Sequence, residues 1–218
     1  MSSREKILDA AMEVFAQAGY RRASMDQVAE AAGLSRQAVY HYFKSKAALF
    51  RASVEALHEG AHEAEAEAGL AAEQAGRGLA DILAARVDAR FRYIVECLEE
   101  TSQPEELLSE RQTQTRDLIQ KFQDQNVKLH KDTIERVCRD QGLALREKMT
   151  AADLARSIQI AASGFDDLRF KASFLDDLAR VVRLIVTGAV IETSSAHRKT
   201  KQTAKPKTSR NRQVRRLS

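Results

Sequence analysis

Arg36 and Gln37 stand next to each other in a short polar segment that also contains aromatic side chains. An arginine can donate two hydrogen bonds to O6 and N7 of guanine, and a glutamine pairs in the same way with N6 and N7 of adenine. Hydroxyl, imidazole and ammonium groups nearby suit phosphate oxygens, which fix a protein on a duplex without reading its sequence. These groups belong to Ser24, Ser35, Tyr40, His41, Tyr42 and Lys46. The residue types therefore predict binding to double-stranded DNA, with Arg36 and Gln37 reading the bases.

Two short helices joined by a tight turn would position these side chains. Ser24 and Gln27 have the spacing of a capping box, which starts a helix at the next residue. Gly33 ends that helix, because glycine tolerates the left-handed backbone of a sharp turn. Ser35 caps a second helix over residues 36–42, so the pattern predicts a helix-turn-helix whose second helix enters the major groove. Two core-packing helices without DNA are the alternative, since any helical hairpin with a glycine turn has this pattern.

The segment GLSRQAVYHYFKSKAALF, which starts at Gly33, resembles the signature of the tetracycline-repressor (TetR) family of bacterial regulators. It follows REKILDAAMEVFAQAGY, which resembles the usual first helix of that family. The resemblance is dense over residues 3–57 and is only architectural beyond them. It implies an all-α fold, with a three-helix helix-turn-helix DNA-binding domain at 1–47 and a helical ligand-binding and dimerisation domain at 48–193. Tyr42 and Lys46 match the positions that the family uses most for phosphate contacts.

A second motif, His58-Glu59-Gly60-Ala61-His62, matches the H-E-x-x-H pattern of zinc metalloproteases, in which two histidines bind metal and the glutamate activates water. So short a pattern arises by chance in helices rich in Glu, Ala and His, and no third ligand is evident from the sequence. We favour a solvated helix face, with an adventitious metal site and a protease as alternatives. The chain also lacks a nucleophile elbow and a phosphate-binding glycine loop. We therefore expect no catalytic residues, no metal and no cofactor.

Charge is distributed unevenly along the 218-residue chain, whose net charge is +4. Residues 1–50 hold seven Lys/Arg against five Asp/Glu, and the segment after Glu192 holds nine Lys/Arg and no acid. The part between them is therefore net −7. An acidic body is repelled by DNA, so we expect contact through the two basic ends. Residues 194–218 are polar and basic, which predicts a disordered tail that either contacts phosphates or only aids solubility.

Composition favours a soluble protein of the cytoplasm, and the family resemblance implies a bacterial one that is associated with the nucleoid. Hydrophobic residues make up 44% of the chain, which suffices for a substantial core. No apolar run approaches the roughly 20 residues of a membrane span, and the N-terminus lacks the apolar segment of a signal peptide. Cys97 and Cys138 are expected to be buried, reduced thiols, with a redox-sensing pair as the alternative.

Helical periodicity, without any alternating strand pattern, continues through the body. The fourth helix begins at Lys46 and weakens over residues 58–75, the next spans Leu79–Leu98, and a long one covers about Glu110–Gln141. Between the last two we expect a mostly apolar cavity with a few polar groups, as a small-molecule site requires. Its predicted lining is Arg90, Phe91, Tyr93, Ile94, Leu118, Phe122 and Asn126. A sizeable apolar ligand with an anionic group near Arg90 or a hydrogen-bonding group near Tyr93 fits this lining. A solid helical core is the alternative.

The last two helices are predicted from Thr150 to about Lys171 and from Phe174 to Ile191. The second is apolar around most of its circumference, which is more than one core face requires. The family resemblance implies that these helices pair with their copies across a two-fold axis. The predicted interface residues are Phe165, Leu178, Val182, Ile185 and Ala189. A central helix in a monomer is the alternative.

These features together predict a homodimeric DNA-binding regulator, and specifically a repressor that a small, largely apolar ligand releases from a near-palindromic operator. Half-sites of such an operator lie about 34–36 Å apart, so a ligand that tilts the fourth helix would move the two recognition helices out of register. A ligand-independent architectural or division-linked DNA-binding protein of the same fold is the main alternative. An activator of the same family and a helical enzyme are the others.

Overall fold

Helices predominate in the computed structural model, which describes residues 2–98, 104–163 and 172–193. The N-terminal head contains α1 (Ser3–Ala18), α2 (Met25–Ala31) and α3 (Arg36–Tyr42). The body contains α4 (Lys46–Gln74), α5 (Leu79–Leu98), α6 (Pro104–Gln114), α7 (Arg116–Gln141), α8 (Ala151–Ser163) and α9 (Ala172–Ala189). Two short strands, β1 (Leu143–Leu145) and β2 (Val190–Glu192), pair antiparallel. The all-α class is thereby confirmed, and within the described ranges no helix is long and apolar enough to cross a bilayer.

Side-chain caps start the head helices where the sequence places them. Ser24 Oγ accepts a hydrogen bond from the Gln27 amide at 3.2 Å, and the Gln27 side chain accepts one from the Ser24 amide at 2.9 Å. Ser35 Oγ accepts from the Ala38 amide at 3.2 Å. Gly33 between them has φ +64°, a conformation that strains any residue with a Cβ. The predicted capping box and glycine turn are both present.

Helix α4 runs without interruption for 29 residues, so the expected weakening over residues 58–75 is wrong. Small residues let α5 approach this stretch closely, and they replace the large apolar side chains that the sequence pattern looks for. A Cβ at Gly60 would collide with the Tyr93 hydroxyl, and one at Gly69 would collide with the Arg86 guanidinium. The stretch is therefore a buried contact with α5.

Two further element boundaries differ from expectation. Helix α7 begins at Arg116, because Thr115 interrupts the chain after α6 and its hydroxyl donates to the Arg111 carbonyl at 2.6 Å. Helix α9 ends at Ala189, and the next three residues form β2 opposite β1. The expectation of helix throughout is wrong at these two short strands. The last part of the predicted eighth helix, Phe165 and residues 194–218 lie outside the described residues.

Two apolar cores lie along the molecule. The head core joins α1–α3 and the first half of α4 to Ile94, Leu98, Leu118 and Phe122 of the body. The body core joins the first half of α5 and the second half of α7 to α8 and α9. Polar residues separate the two cores on α4, α5 and α7. This polar layer consists of His62, Glu65, Arg90, Asn126 and His130.

Helix α9 packs its main apolar face inside its own chain. Leu178, Val182 and Ala189 belong to the body core and are at most 2% exposed. The prediction that they form a subunit interface is therefore corrected, because a side chain buried in its own core is not available to a partner. Ile185 is half-buried, while Leu184 on the outer side is 67% exposed. On α8, Ile160 is 73% exposed. These two outer residues remain available for an apolar contact with a second chain.

The two cysteines, Cys97 on α5 and Cys138 on α7, are free thiols. Cys97 is exposed and Cys138 is half-buried, so the expectation that both are buried is wrong. Partial burial raises the pKa of Cys138, which disfavours the reactive thiolate form.

Candidate nucleic-acid interface and body cavity

Helix α3 turns one side toward the head core and the other toward solvent. Val39 is fully buried and anchors the helix, with Tyr40 half-buried beside it. The exposed side chains are those of Arg36, Gln37, His41 and Tyr42. Tyr42 leaves 45% of its surface exposed, although a large aromatic side chain would be stabilised by burial. The two predicted base-reading residues and two of the predicted phosphate-binding residues thus share one accessible face.

Arg36 is held on this face by two weak contacts. Its Nη1 lies 3.0 Å from Asp26 Oδ2 on α2, and its guanidinium carbon lies 5.4 Å from the centre of the Tyr40 ring. Both charged side chains are exposed, and a surface ion pair is worth at most about 1 kcal/mol. Arg36 can therefore exchange Asp26 for a base at little cost.

Ser24 and Ser35 serve first as helix caps. The Ser24 hydroxyl donates to Gln27 Oε1 at 3.1 Å in addition to capping α2, so its proton is already used. Ser35 is exposed and its oxygen caps α3, which leaves its proton to donate. Of the two, Ser35 is better placed for a phosphate contact.

Lys46 is placed differently from expectation. Its ammonium group donates to the carbonyl oxygens of Tyr20, Arg21 and Ala23 at 2.9, 3.1 and 3.0 Å, and lies 4.6 Å from the centre of the Tyr20 ring. An ammonium has three protons, so this set uses its full capacity. The predicted phosphate contact is corrected accordingly: Lys46 fastens the α1–α2 loop to the start of α4.

Lys44 is an exposed cation that the sequence motif did not single out. It follows α3 directly and its ammonium lies 3.3 and 3.4 Å from the carbonyl oxygens of Tyr40 and His41. These contacts are long and exposed, so the ammonium is free to turn toward a phosphate. The signal for it was its position, since it is the first basic residue after the recognition helix.

The histidines of the H-E-x-x-H motif face α7 instead of solvent. The His58 ring stacks on Phe122, with ring centres 4.9 Å apart and planes 20° apart. His62 Nδ1 lies 3.1 Å from Asn126 Oδ1, while Glu59 is exposed. The favoured solvated face is therefore wrong for both histidines. In the part of the chain that the structure describes, no three His, Cys, Asp or Glu side chains form a group that could bind a metal.

A cavity of about 40 Å³ lies where α4 to α8 meet. Its lining consists of His58, Arg90, Phe91, Ile94, Arg111, Ile119, Phe122, Gln123, Asn126 and Gln159. Five of the seven predicted lining residues are present, but Tyr93 and Leu118 are not. Tyr93 packs on Gly60, and Leu118 belongs to the head core. The lining is more polar than predicted, because α4, α6 and α8 each add a polar side chain.

The polar layer next to this cavity contains one carboxylate shared between two partners. Glu65 Oε1 lies 2.6 Å from His130 Nε2, and Glu65 Oε2 lies 3.6 Å from Arg90 Nη1. Burial opposes the ionisation of Glu65, but the charges of Arg90 and His130 outweigh it and lower the pKa of the carboxyl. Glu65 is therefore an anion, and His130 donates to it. The layer joins α4, α5 and α7 by charge.

His58 is held neutral at the wall of the cavity. Burial, followed by the positive charges of Arg111 and Arg90, lowers the pKa of its ring to about 3. Its Nε2 atom forms no hydrogen bond among the described residues. A neutral imidazole can donate from one ring nitrogen and accept at the other, so this atom has unused capacity.

Helix α6 connects the cavity to the head. Arg111 lies at the cavity, and Glu106, one and a half turns earlier on the same helix, accepts a hydrogen bond from the Arg21 amide at 2.7 Å. Lys46 holds the carbonyl of the same Arg21. The α1–α2 loop is thus held by hydrogen bonds from both α6 and α4. A movement of either helix would reach the loop directly.

An exposed α3 follows a glycine turn and is attached to an all-helical body. These features place the chain in the class of helix-turn-helix proteins. Residues 7–53 match the family described as bacterial regulatory proteins, tetR family. Residues 7–53 are therefore a DNA-binding domain of the kind found in that family.

The curated relatives are similar in sequence to this chain over its N-terminal head. The HTH-type transcriptional repressor Rv1474c of Mycobacterium tuberculosis is 45% identical over 47 residues, which are 22% of this chain and 25% of the repressor. The HTH-type transcriptional activator FasR of Mycolicibacterium smegmatis is 45% identical over 49 residues, 22% of each chain. The chain thus matches about a quarter of the length of these curated relatives. A solved SmeT–triclosan complex has a TM-score of 0.64 and 23% identity, covering 88% of this chain and 93% of SmeT. That similarity shows the fold alone.

Proposed function

We propose that this chain is a homodimeric transcriptional regulator that binds a near-palindromic operator through α3. The observation that carries the proposal is the outward face of α3, where Arg36 and Gln37 stand beside His41 and Tyr42 on a helix anchored by Val39. Arg36 and Gln37 read bases, and Ser35, Lys44 and Tyr42 contact phosphates. Lys46 acts indirectly, by fixing the loop that precedes α2.

The regulator is a repressor that a small ligand releases from DNA. A repressor and an activator are both similar to this head, so the sign of regulation depends on where the operator lies. The ligand need favour the released state by only about 1–3 kcal/mol to change operator affinity roughly 5- to 150-fold. SmeT, of the same fold, is known as a complex with triclosan. The cavity between α4 and α8 is the ligand site that we propose here.

The test of DNA recognition is Arg36→Ala, measured by fluorescence anisotropy on an operator obtained by genome-wide footprinting of the purified protein. Loss of one bidentate base contact should weaken binding by about 1–3 kcal/mol and relax the preference at one base pair of each half-site. The matched control is Arg156→Ala, which removes an exposed arginine of α8 that pairs only locally with Asp153. If affinity and base preference both survive Arg36→Ala, α3 does not lie in the groove.

The size of the cavity favours a second candidate function. About 40 Å³ is far below the roughly 300–1,000 Å³ of drug-sized ligand sites. A ligand-independent architectural or division-linked DNA-binding protein of the same fold would need no larger space. That candidate stands if operator affinity is insensitive to every small molecule that binds the body.

A further inference from the structure

The cavity contains buried hydrogen-bond donors that no described residue satisfies. Arg90 is 5% exposed, and its Nη1 atom forms no hydrogen bond, since its nearest carboxylate oxygen, Glu65 Oε2, lies 3.6 Å away. His58 Nε2, on the facing helix, likewise forms none. A buried polar group without a partner costs about 1–3 kcal/mol. Two such groups at one cavity point to an acceptor that enters from outside.

The acceptor that these groups select is an anion. Arg90 carries a permanent positive charge and Arg111 adds a second at the same cavity wall, while His58 is neutral and repels neither sign. A carboxylate accepts from a guanidinium and an imidazole at once, and such charge-assisted bonds are about twice as strong as neutral ones. A water molecule would satisfy the donors but would leave the charge without an additional counter-ion.

The other residues that line the cavity determine the chemistry of the rest of the ligand. Phe91, Ile94, Ile119 and Phe122 are apolar, and the cavity is partly open to solvent. Space of about 40 Å³ is more than the roughly 10–15 Å³ of cavity that one water molecule needs, so it can admit a carboxylate group. The hydrocarbon part must then extend toward the open side of the cavity. Gln159 Oε1, which forms no hydrogen bond to any residue that the structure describes, can accept from a hydroxyl of the ligand.

We propose that the cavity binds a small apolar carboxylic acid as its anion, with Arg90 Nη1 and His58 Nε2 donating to the carboxylate. This inference names the chemical class of the ligand and rests on the proposed function only in taking that ligand to be the inducer. The bound anion competes with Glu65 of α4 for the charge of Arg90. It also sits against Arg111 of α6, so both helices that grip the α1–α2 loop respond to it.

Benzoate and its neutral counterpart benzyl alcohol provide the test, by isothermal titration of the full chain without DNA. Benzoate should bind at least about tenfold more tightly than benzyl alcohol, a difference of one charge-assisted contact. Arg90→Met should abolish the difference. Because that variant leaves Glu65 buried without its cation, Arg90→Met with Glu65→Gln restores the charge balance and should also lose the preference. The control is Arg92→Met, which removes an exposed arginine on the same helix that pairs with Asp88.

Equal binding of the two compounds, or no heat from benzoate at about 10 mM, would overturn the proposal. So would an undiminished benzoate preference in a folded Arg90→Met variant. Operator binding, measured separately with and without benzoate, keeps the two proposals apart. A protein that binds operator but not benzoate refutes only the anion site, whereas one that binds benzoate but no DNA refutes the proposed function.

Discussion

At the scale of single residues, the charge state of His58 links the cavity to stability. Its folded-state pKa of about 3 lies below the unfolded value of 6.5. Between these values the unfolded chain binds the proton first, so the free energy of unfolding falls as the pH falls. Glu65 acts in the same direction but only at lower pH, because its lowered pKa lies below 4.5. The window between pH 5 and 6.5 therefore separates the contribution of His58 from that of Glu65.

His58→Leu should flatten the pH dependence in that window. The wild-type chain should lose up to about 1.4 kcal/mol of unfolding free energy per pH unit through this one group. Urea titrations at pH 6.5 and pH 5 measure the loss, which should largely disappear in the variant. His41→Gln, which changes an exposed imidazole on α3, serves as the control. Identical slopes for wild type and His58→Leu would mean that the ring titrates normally in the folded chain.

At the scale of elements, Lys46 is the fastening between α4 and the loop before α2. Lys46→Met removes three charge-assisted hydrogen bonds to loop carbonyls and should lower the free energy of unfolding by roughly 2–3 kcal/mol. Operator binding should weaken for all sequences alike, because the whole of α2 and α3 shifts. Thermal and urea unfolding measure the loss of stability, and fluorescence anisotropy measures the weaker operator binding.

Lys44→Met is the matched control for this fastening, because Lys44 is an exposed lysine two residues earlier with long contacts only. Its effect on stability should stay within about 0.5 kcal/mol, while its effect on DNA binding should show as a smaller salt dependence. A Lys46→Met variant as stable as Lys44→Met would show that the loop holds its position without the lysine.

Local signals predicted the elements of the head well. Ser24 with Gln27, Ser35, and Gly33 each act within three or four residues, so the sequence contains all that their geometry needs. Lys46 could not be assigned in this way, because its partners at residues 20–23 approach it only through the packing of α1 against α4. The pairing of β1 with β2 likewise joins segments more than forty residues apart.

Periodicity was a weaker guide in the body, for two physical reasons. Helix α9 is apolar on several sides, so the sequence could not decide whether Val182 or Leu184 faces α5. On α4, glycine and alanine made the buried side of residues 58–74 look like a solvated one. The cavity next to α5 and α7 is also lined by His58 and Gln159, which come from helices whose approach the sequence pattern did not contain.

At the scale of the whole molecule, we expect a second copy to pack on the outer side of α9. Leu184 and Ile160 are large apolar side chains that remain mostly exposed in the single chain. Leu184→Asp should give monomers in sedimentation velocity, because a two-fold interface would bury the unpaired carboxylate twice at several kcal/mol each. The matched control is Leu70→Asp, at an exposed leucine of α4. Dimers that persist in Leu184→Asp but dissociate in Leu70→Asp would place the interface on α4.

We expect the polar layer between the two apolar cores to divide the chain into two cooperative units. Apolar contacts hold residues within each core, whereas His62, Glu65, Arg90, Asn126 and His130 hold one core to the other by bonds that depend on exact geometry. Unfolding need not then be all-or-none, and each core has its own free energy of opening. A substitution is felt first in the core that contains it. Helices α5 and α7 contribute buried residues to both cores, so loss of either helix would open the two cores together.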